Sequence, residues 1–514
     1  MNLDQLWAIA RGRRGEAVAV AFRAEDGGAS STLTYRDLDA AAGRLAARLE
    51  ARGVGRGDRL ALHLGNRAET VVAYLAALRL GAVAVPVNLA YRRPEIAHLL
   101  ADAEPRLALT EAAERAEMDA AAQQAGVEVT DVEELAAGGD VPPPPPAPEL
   151  PPLDGSDLAL LLYTSGTTGR SKGAMLTHDN LLATIVALLA AWGWQGDDRL
   201  LLTLPLFHTH GLVVGLFTAL AAGATVDLRR RFDAAAFADA LTATDGGAPS
   251  LFFGVPTMYV RLAAELARRR DAGLPCATPG VRLFASGSAP LAPETFALFR
   301  DLTGHRILER YGMTETGMNL SNPYAGHRLP GTVGVPLPGV SARIVGDDGE
   351  EVPAGGEGEL EVAGGNVFAG YWRAPEKTAG SFVADAAGRR WFRTGDLARR
   401  DPASGHVTLL GRRTELVISG GYNVYPREVE EAILACAGVR EAAVAGMPDR
   451  DLGEIVAAWV VADGEPDEAA LTERLAEHLA GRLARYKLPR RWFVVEELPR
   501  NALGKVRKGR LPGR

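Results

Sequence analysis

The chain has 514 residues, 47% of them hydrophobic and 23% charged, so it is long enough for more than one domain and apolar enough to bury a sizeable core. A net charge of −8 argues against a nucleic-acid partner, and two cysteines, Cys276 and Cys436, far apart and without CxxC spacing, suggest neither a disulfide framework nor a zinc site. The opening residues, MNLDQLWAIARGRRGEA, lack the apolar core of a signal peptide, and the most hydrophobic region, Leu200–Val226, is broken by Pro205, His208 and His210, so a cytoplasmic protein without a membrane span is expected.

In chain order, Leu38, Ala41, Leu45 and Leu49 keep helical spacing up to Gly53, Leu60–Leu64 reads as a strand, 69–80 as a helix and Ala82–Val87 as a strand. Such alternation implies a largely parallel sheet covered by helices. Residues 138–155, GGDVPPPPPAPELPPLDG, read as a surface linker of polyproline character. Leu158–Tyr163 is a buried-strand pattern that stops at Thr164, Ser165, Gly166, Thr167, Thr168 and Gly169, with Lys172 just beyond and a helical pattern after His178. Glycines let backbone N–H groups turn toward an anion, hydroxyls add donors, and the lysine adds a mobile positive charge, a combination suited to a polyphosphate. It is not GxxxxGK[ST], since two residues separate Gly169 from Lys172 and Gly173 follows the lysine. Lysine is scarce here: Lys172, Lys377, Lys487, Lys505 and Lys508 are five of 56 basic residues, which raises the prior that a lysine marks a need for a compact charge.

From about Val333 strands shorten and glycines crowd in (Gly346, Gly349, Gly355, Gly356, Gly358), as in a small β-rich subdomain. Past Gly411 the pattern is strand Leu416–Ser419, a helix from Pro426 to about Cys436, strand Ile455–Val461, helix 467–484 and strand Trp492–Val495. This reads as a separate α+β domain, dividing the chain into 1–411 and 412–514.

The string YTSGTTGRSKGAMLTH resembles the signature loop of the adenylate-forming enzymes, the superfamily of acyl-CoA synthetases, adenylation domains and luciferases. ERYGMTETG at 309–317, GYWRAPEKT at 370–378, RTGDL at 393–397, GRRTELVISGGYNVYPREVE at 411–430 and LPRNALGKVRK at 498–508 extend the resemblance over nearly the whole chain. It implies an α/β fold: a large N-terminal domain of layered β/α subdomains plus a small β-rich subdomain, followed by a small mobile α+β C-terminal domain. It also implies a two-step reaction, in which a carboxylate attacks the α-phosphate of ATP and the thiol of coenzyme A then displaces AMP from the acyl-adenylate. Carried over position by position, residues 164–169 and Lys172 contact phosphates, with Thr164 and Lys172 among the catalytic group. Glu315 holds Mg²⁺ beside Thr314, Asp396 and Arg412 take the ribose, and Gly287, Ser288, Ala289, Pro290, Tyr311, Gly312 and Met313 form the adenine segments. Lys505 addresses the carboxylate and α-phosphate. Gly421 lines the pantetheine tunnel once the small domain has turned. The segment after GR, often Asp or Lys in relatives, reads Arg413–Thr414–Glu415, leaving the hinge residue open.

PLFHTHGL at 205–212, VRLFASGSAPL at 281–291 and residues 309–340 look most like malonyl-CoA synthetases. Malonate is a dianion whose second carboxylate needs a cationic or donor-rich pocket. Arg282 is the first candidate to grip it, with His208, Ser286 and Met313 as wall residues. Arg229, Arg230 and Arg231 form the densest basic run near the proposed site and are candidates for the coenzyme A 3′-phosphate. Three alternatives stand beside this reading: a ligase for a medium-chain or aromatic acid, a free-standing adenylation enzyme loading a carrier protein, and a non-catalytic protein of the same fold, against which Lys172, Glu315, Asp396 and Lys505 all speak. On the catalytic reading, Lys505→Ala should lower ATP–pyrophosphate exchange by at least about a hundredfold, roughly 2.7 kcal/mol, while transfer from a supplied acyl-adenylate to the thiol suffers much less. Equal loss in both half-reactions would count against that assignment.

Overall fold

The computed structural model describes residues 2–513 except 24–29, 138–152, 166–170, 245–246, 290, 292, 347, 413–416, 425, 463, 465–466, 500–505 and 507. Residues 138–152 of the proline-rich linker, the proposed hinge, Pro290 and Lys505 lie outside the described residues, as do Gly166, Thr167, Thr168 and Gly169.

Two mixed sheets form the bulk of the chain. In the nine-stranded one, Leu308–Met313, Leu283–Ser286, Leu251–Gly254, Arg199–Leu202, Thr225–Arg229 and Val18–Arg23 run parallel in that spatial order, with antiparallel strands at both edges. The seven-stranded sheet places Leu158–Ser165 beside Val83–Pro86, which in turn pairs with Arg59–His63, again parallel. One hydrophobic core joins both sheets through the helices Tyr35–Ala51, Ala68–Leu80 and His178–Trp192. Ala68–Leu80 is buried on nearly every side, the expected fate of a helix apolar all round. The hydrophobic region Leu200–Val226 forms core strands and helical turns, and no helix among the described residues is long and apolar enough to cross a membrane.

A five-stranded antiparallel sheet from Val340 to Arg412 matches the expected β-rich segment. The last unit has its own sheet: hairpin Val417–Ser419/Tyr422–Val424, then Gly453–Ala462 flanked by Val439–Asp449 and Arg491–Val494. Helices Pro426–Leu434 and Glu468–Ala480 pack on one face and Trp459, Phe493, Leu498 and Leu511 cover the other. Ser171–Thr177 and Val439–Asp449 are among the strands that go beyond the sequence reading, and both consist largely of small residues whose alternation is faint.

Candidate active site

The phosphate segment sits between two strands. Leu158–Ser165 pairs antiparallel with Ser171–Thr177 so that Thr164 faces Lys172 and Ser165 faces Ser171. Lys172 is therefore delivered by a strand, and partial burial, helped by nearby Lys377, holds its ammonium below the usual lysine value. The short strand Gly370–Tyr371 adds to the same edge opposite Met175 and Ala174, and the Tyr371 hydroxyl donates to Glu315 Oε1 at 3.0 Å. That bond ties the buried carboxylate of Glu315 to the phosphate strands. Asp396 is also buried; it accepts from the Tyr311 hydroxyl at 2.5 Å and lies opposite Arg412 in the ladder. The structure thus brings Thr164, Lys172, Tyr311, Glu315 and Asp396 onto neighbouring strand ends and loops. Thr314 follows Met313 at the end of its strand, and Gly312 stands at a bulge beside Tyr311.

A single carboxylate with substrate phosphates and water is a donor set Mg²⁺ accepts readily. Glu315 fits it, and no cluster of three or more His, Cys, Asp or Glu suited to a metal occurs among the described residues.

Next to these residues lies a cavity of about 290 Å³, lined from the large unit by Leu204, Pro205, His208, His210, Val255, Met258 and Ser288, and from the small unit by Gly420, Gly421, Tyr422, Tyr486 and Arg490. Gly421 has φ +81°, and a Cβ there would meet Val255 at 3.1 Å, so glycine lets the hairpin close over the cavity. Ser288 adopts a left-handed φ of +70°, strain of the kind that concentrates at functional positions, and its hydroxyl lies 3.2 Å from His210 Nδ1. Burial first, then the charge of Arg310, pushes His208 down to about 4 and His210 well below its ordinary value, so both imidazoles stay neutral.

Arg310 is the residue the sequence reading passed over. It is 5% exposed; its Nε and Nη2 have no partner among the described residues, and burial pulls its guanidinium down to about 9. It lies so close to Gly287 that a Cβ there would meet the guanidinium at 2.4 Å. Ser286, just before Gly287, has a buried hydroxyl also without a partner, and Met313 closes the strand that carries Arg310.

Two assignments are corrected. Arg282 precedes the strand Leu283–Ser286, at the opposite end from Ser288, and its guanidinium grips Asp198 through two bonds, of 2.8 and 2.5 Å, while the third nitrogen donates to the Trp192 carbonyl. It is a structural cation. Within the 229–231 run, Arg229 is buried against Asp227 at 2.7 Å and Arg230 reaches buried Glu111 at 2.6 Å; Arg231 is exposed. A charge run does not reveal partners two or more than a hundred positions away. The exposed arginines that do line the cavity are Arg261 and Arg490.

Known proteins agree with this geometry. Residues 7–372 match the family model described as AMP-binding enzyme, and residues 428–505 match the AMP-binding enzyme C-terminal domain. The mitochondrial malonate–CoA ligase ACSF3 of Bos taurus is 35% identical over 92% of this chain and 85% of its own length. A feruloyl-CoA synthase of Amycolatopsis sp is 37% identical over 93% of both. Among solved structures, ATP-bound MatB from Rhodopseudomonas palustris is 41% identical, covering 99% of this chain and 98% of that one, with a TM-score of 0.72. A malonyl-CoA ligase ternary product complex with methylmalonyl-CoA and AMP, also 41% identical over 94% and 97%, scores 0.81. Fold and site together define an AMP-forming acid–thiol ligase that uses ATP and coenzyme A. The chain belongs to the AMP-binding enzyme family.

Because Asp198 is left buried when its partner goes, Arg282→Ala should lower unfolding free energy by roughly 3 kcal/mol in a denaturant titration, with the KM for the acid within about twofold of wild type. A selective rise in that KM at unchanged stability would return Arg282 to the substrate pocket.

Proposed function

We propose that the enzyme joins malonate, and with it methylmalonate, to coenzyme A through an acyl-adenylate, releasing pyrophosphate and then AMP. The observation that carries this is Arg310: a buried guanidinium with unpaired donors costs several kcal/mol and is retained where an anion will meet it. A second carboxylate in the cavity supplies that anion. The neutral imidazoles of His208 and His210 and the Ser288 hydroxyl add hydrogen bonds without adding charge.

In this reading Thr164 to Gly169 and Lys172 take the polyphosphate, with Lys505 reaching the α-phosphate and the attacking carboxylate. Asp396 and Arg412 hold the ribose, while Ser288, Ala289, Pro290, Tyr311 and Gly312 border the adenine. Glu315 would hold Mg²⁺, which spreads charge off the phosphate oxygens when bound. Division of the chain near residue 412 lets the small unit present Lys505 for adenylation and Gly421 for thiolation. The arrangement here, with Gly421 against Val255, accords with thiolation, and so does the higher TM-score of the product-bound relative at equal identity. Arg261 and Arg490 replace the 229–231 run as the cations for the coenzyme A phosphates.

A pyrophosphate-release panel of malonate, methylmalonate, acetate, octanoate and coumarate should rank the two dicarboxylates first. Arg310→Met should lower kcat/KM for malonate by at least about a hundredfold, leave the KM for ATP within threefold, and narrow the gap to acetate. Preference for coumarate or octanoate in the wild type would overturn the malonate assignment and leave the ligase class standing.

A further inference from the structure

The two units meet through a buried ion triad that none of the catalytic assignments uses. Lys487 is 2% exposed, and its Nζ lies 2.7 Å from Glu95 Oε1 and 2.7 Å from Glu428 Oε1. Glu95 belongs to the large unit, in the first turn of helix Arg93–Ala103, where its other oxygen accepts the Arg92 N–H at 3.1 Å. Glu428 and Lys487 belong to the small unit, in the first turn of helix Pro426–Leu434 and in the short turn Arg485–Lys487. The ammonium also faces the rings of Tyr91 and Tyr486, at 4.9 and 5.8 Å from their centres. Burial alone pulls the lysine toward its neutral form, and the surrounding tyrosines and carboxylates more than offset that pull. Burial raises Glu95 against the opposing attraction of Lys487.

The triad continues into the cavity. Tyr486 stacks on Tyr422 with ring centres 4.4 Å apart, and Tyr422 adjoins Gly421, which abuts Val255. Glu95, Lys487, Tyr486, Tyr422 and Gly421 thus form one packed line from a large-unit helix to the hairpin that closes the cavity. On the two-pose reading, a rotation of the small unit would carry Lys487 and Glu428 away together and separate both from Glu95, so the Lys487–Glu95 bond would belong to this pose alone. Differential contacts of that kind set the balance between two arrangements. The residue type fits the task. In a chain that uses arginine for almost every cation, a lysine stands where three donors on a compact head bridge two carboxylates between two ring faces.

We propose that Lys487 is a positioning residue for the thioester-forming half-reaction: by clamping Glu95 to Glu428 it docks the small unit so that the 417–424 hairpin shapes the thiol path. This rests on the two-pose ligase reading above. The test uses the full-length enzyme, the best acid of the panel, and two assays: ATP–pyrophosphate exchange without coenzyme A, and single-turnover transfer to coenzyme A from adenylate preformed on the enzyme. Lys487→Met should slow transfer at least tenfold and leave exchange within twofold of wild type. Glu95→Gln, a milder change in the other unit, should show the same split, and the double variant should be no slower in transfer than Lys487→Met. Equal loss in both assays, or no loss in transfer with either variant, overturns the proposal. Wild-type enzyme that forms adenylate but transfers nothing to coenzyme A refutes the ligase reading itself, before any variant is compared.

Discussion

The central strands of the nine-stranded sheet all end on the same side, and that directional constraint decides which side chains can reach a substrate. Connections leaving the C-terminal ends of parallel strands border the crevice where ligands bind. His208 and His210 follow Arg199–Leu202, Val255 follows Leu251–Gly254, Ser288 follows Leu283–Ser286, and Thr314 and Glu315 follow Leu308–Met313. Arg282 and Arg310 are both arginines at the margin of this layer. The first stands just before a strand begins and braces Asp198; the second lies within the strand Leu308–Met313 and packs against Gly287, behind the cavity wall.

Buried charge is used in three ways. Arg229 with Asp227 and Arg282 with Asp198 are saturated pairs within one unit that hold strands and their connections in place. Lys487 is saturated too, but by carboxylates from two units, so its bonding reports how those units are arranged. Arg310 keeps Nε and Nη2 without a partner among the described residues. Removing one member of a buried pair strands the other, whereas an arginine already unpaired leaves its cost to be relieved by whatever binds. The same physics therefore yields rigidity in the first case, a preference between poses in the second and an appetite for an anion in the third.

Much of this was legible in the chain. The helix at 69–80, the strand at 158–163 and, past residue 411, the helix from Pro426, the strand within Gly453–Ala462 and the helix Glu468–Ala480 follow from period and length, because their burial is set by apolar side chains. Strand Ser171–Thr177 was hidden, since a polar, glycine-bearing segment gives no alternation that would mark it beside Leu158–Ser165, its pairing partner. Thr164, Lys172, Glu315 and Asp396 were found by motif; the strands of Thr164 and Lys172 pair directly, Glu315 is joined to their sheet through Tyr371, and Asp396 accepts from Tyr311. The roles of the arginines were not legible, because they depend on Asp198, Asp227 and Glu111, whose nearness is a property of the fold. Arg310 did carry a signal. It is a lone cation inside the run ILERYGM, directly before a motif that addresses phosphates.

The cavity must serve two chemically unlike occupants, and its lining divides accordingly. Toward the small unit it is bordered by Val255, Met258, Tyr422 and Tyr486, surfaces suited to a thin, flexible thiol-bearing arm. Toward the sheet it ends at Ser288, His208 and His210, with Arg310 behind Gly287. An aromatic acid placed there would leave the guanidinium unpaired and cover it with apolar surface, paying the burial penalty twice over. On the proposed malonate reading, a short dicarboxylate would offer one carboxylate to the cation while the other, a single carbon away, stays directed at the nucleotide side. That reading constrains chain length as well as charge, since a longer diacid would push its reacting carboxylate out of line with the α-phosphate, where small misplacements are costly to the rate.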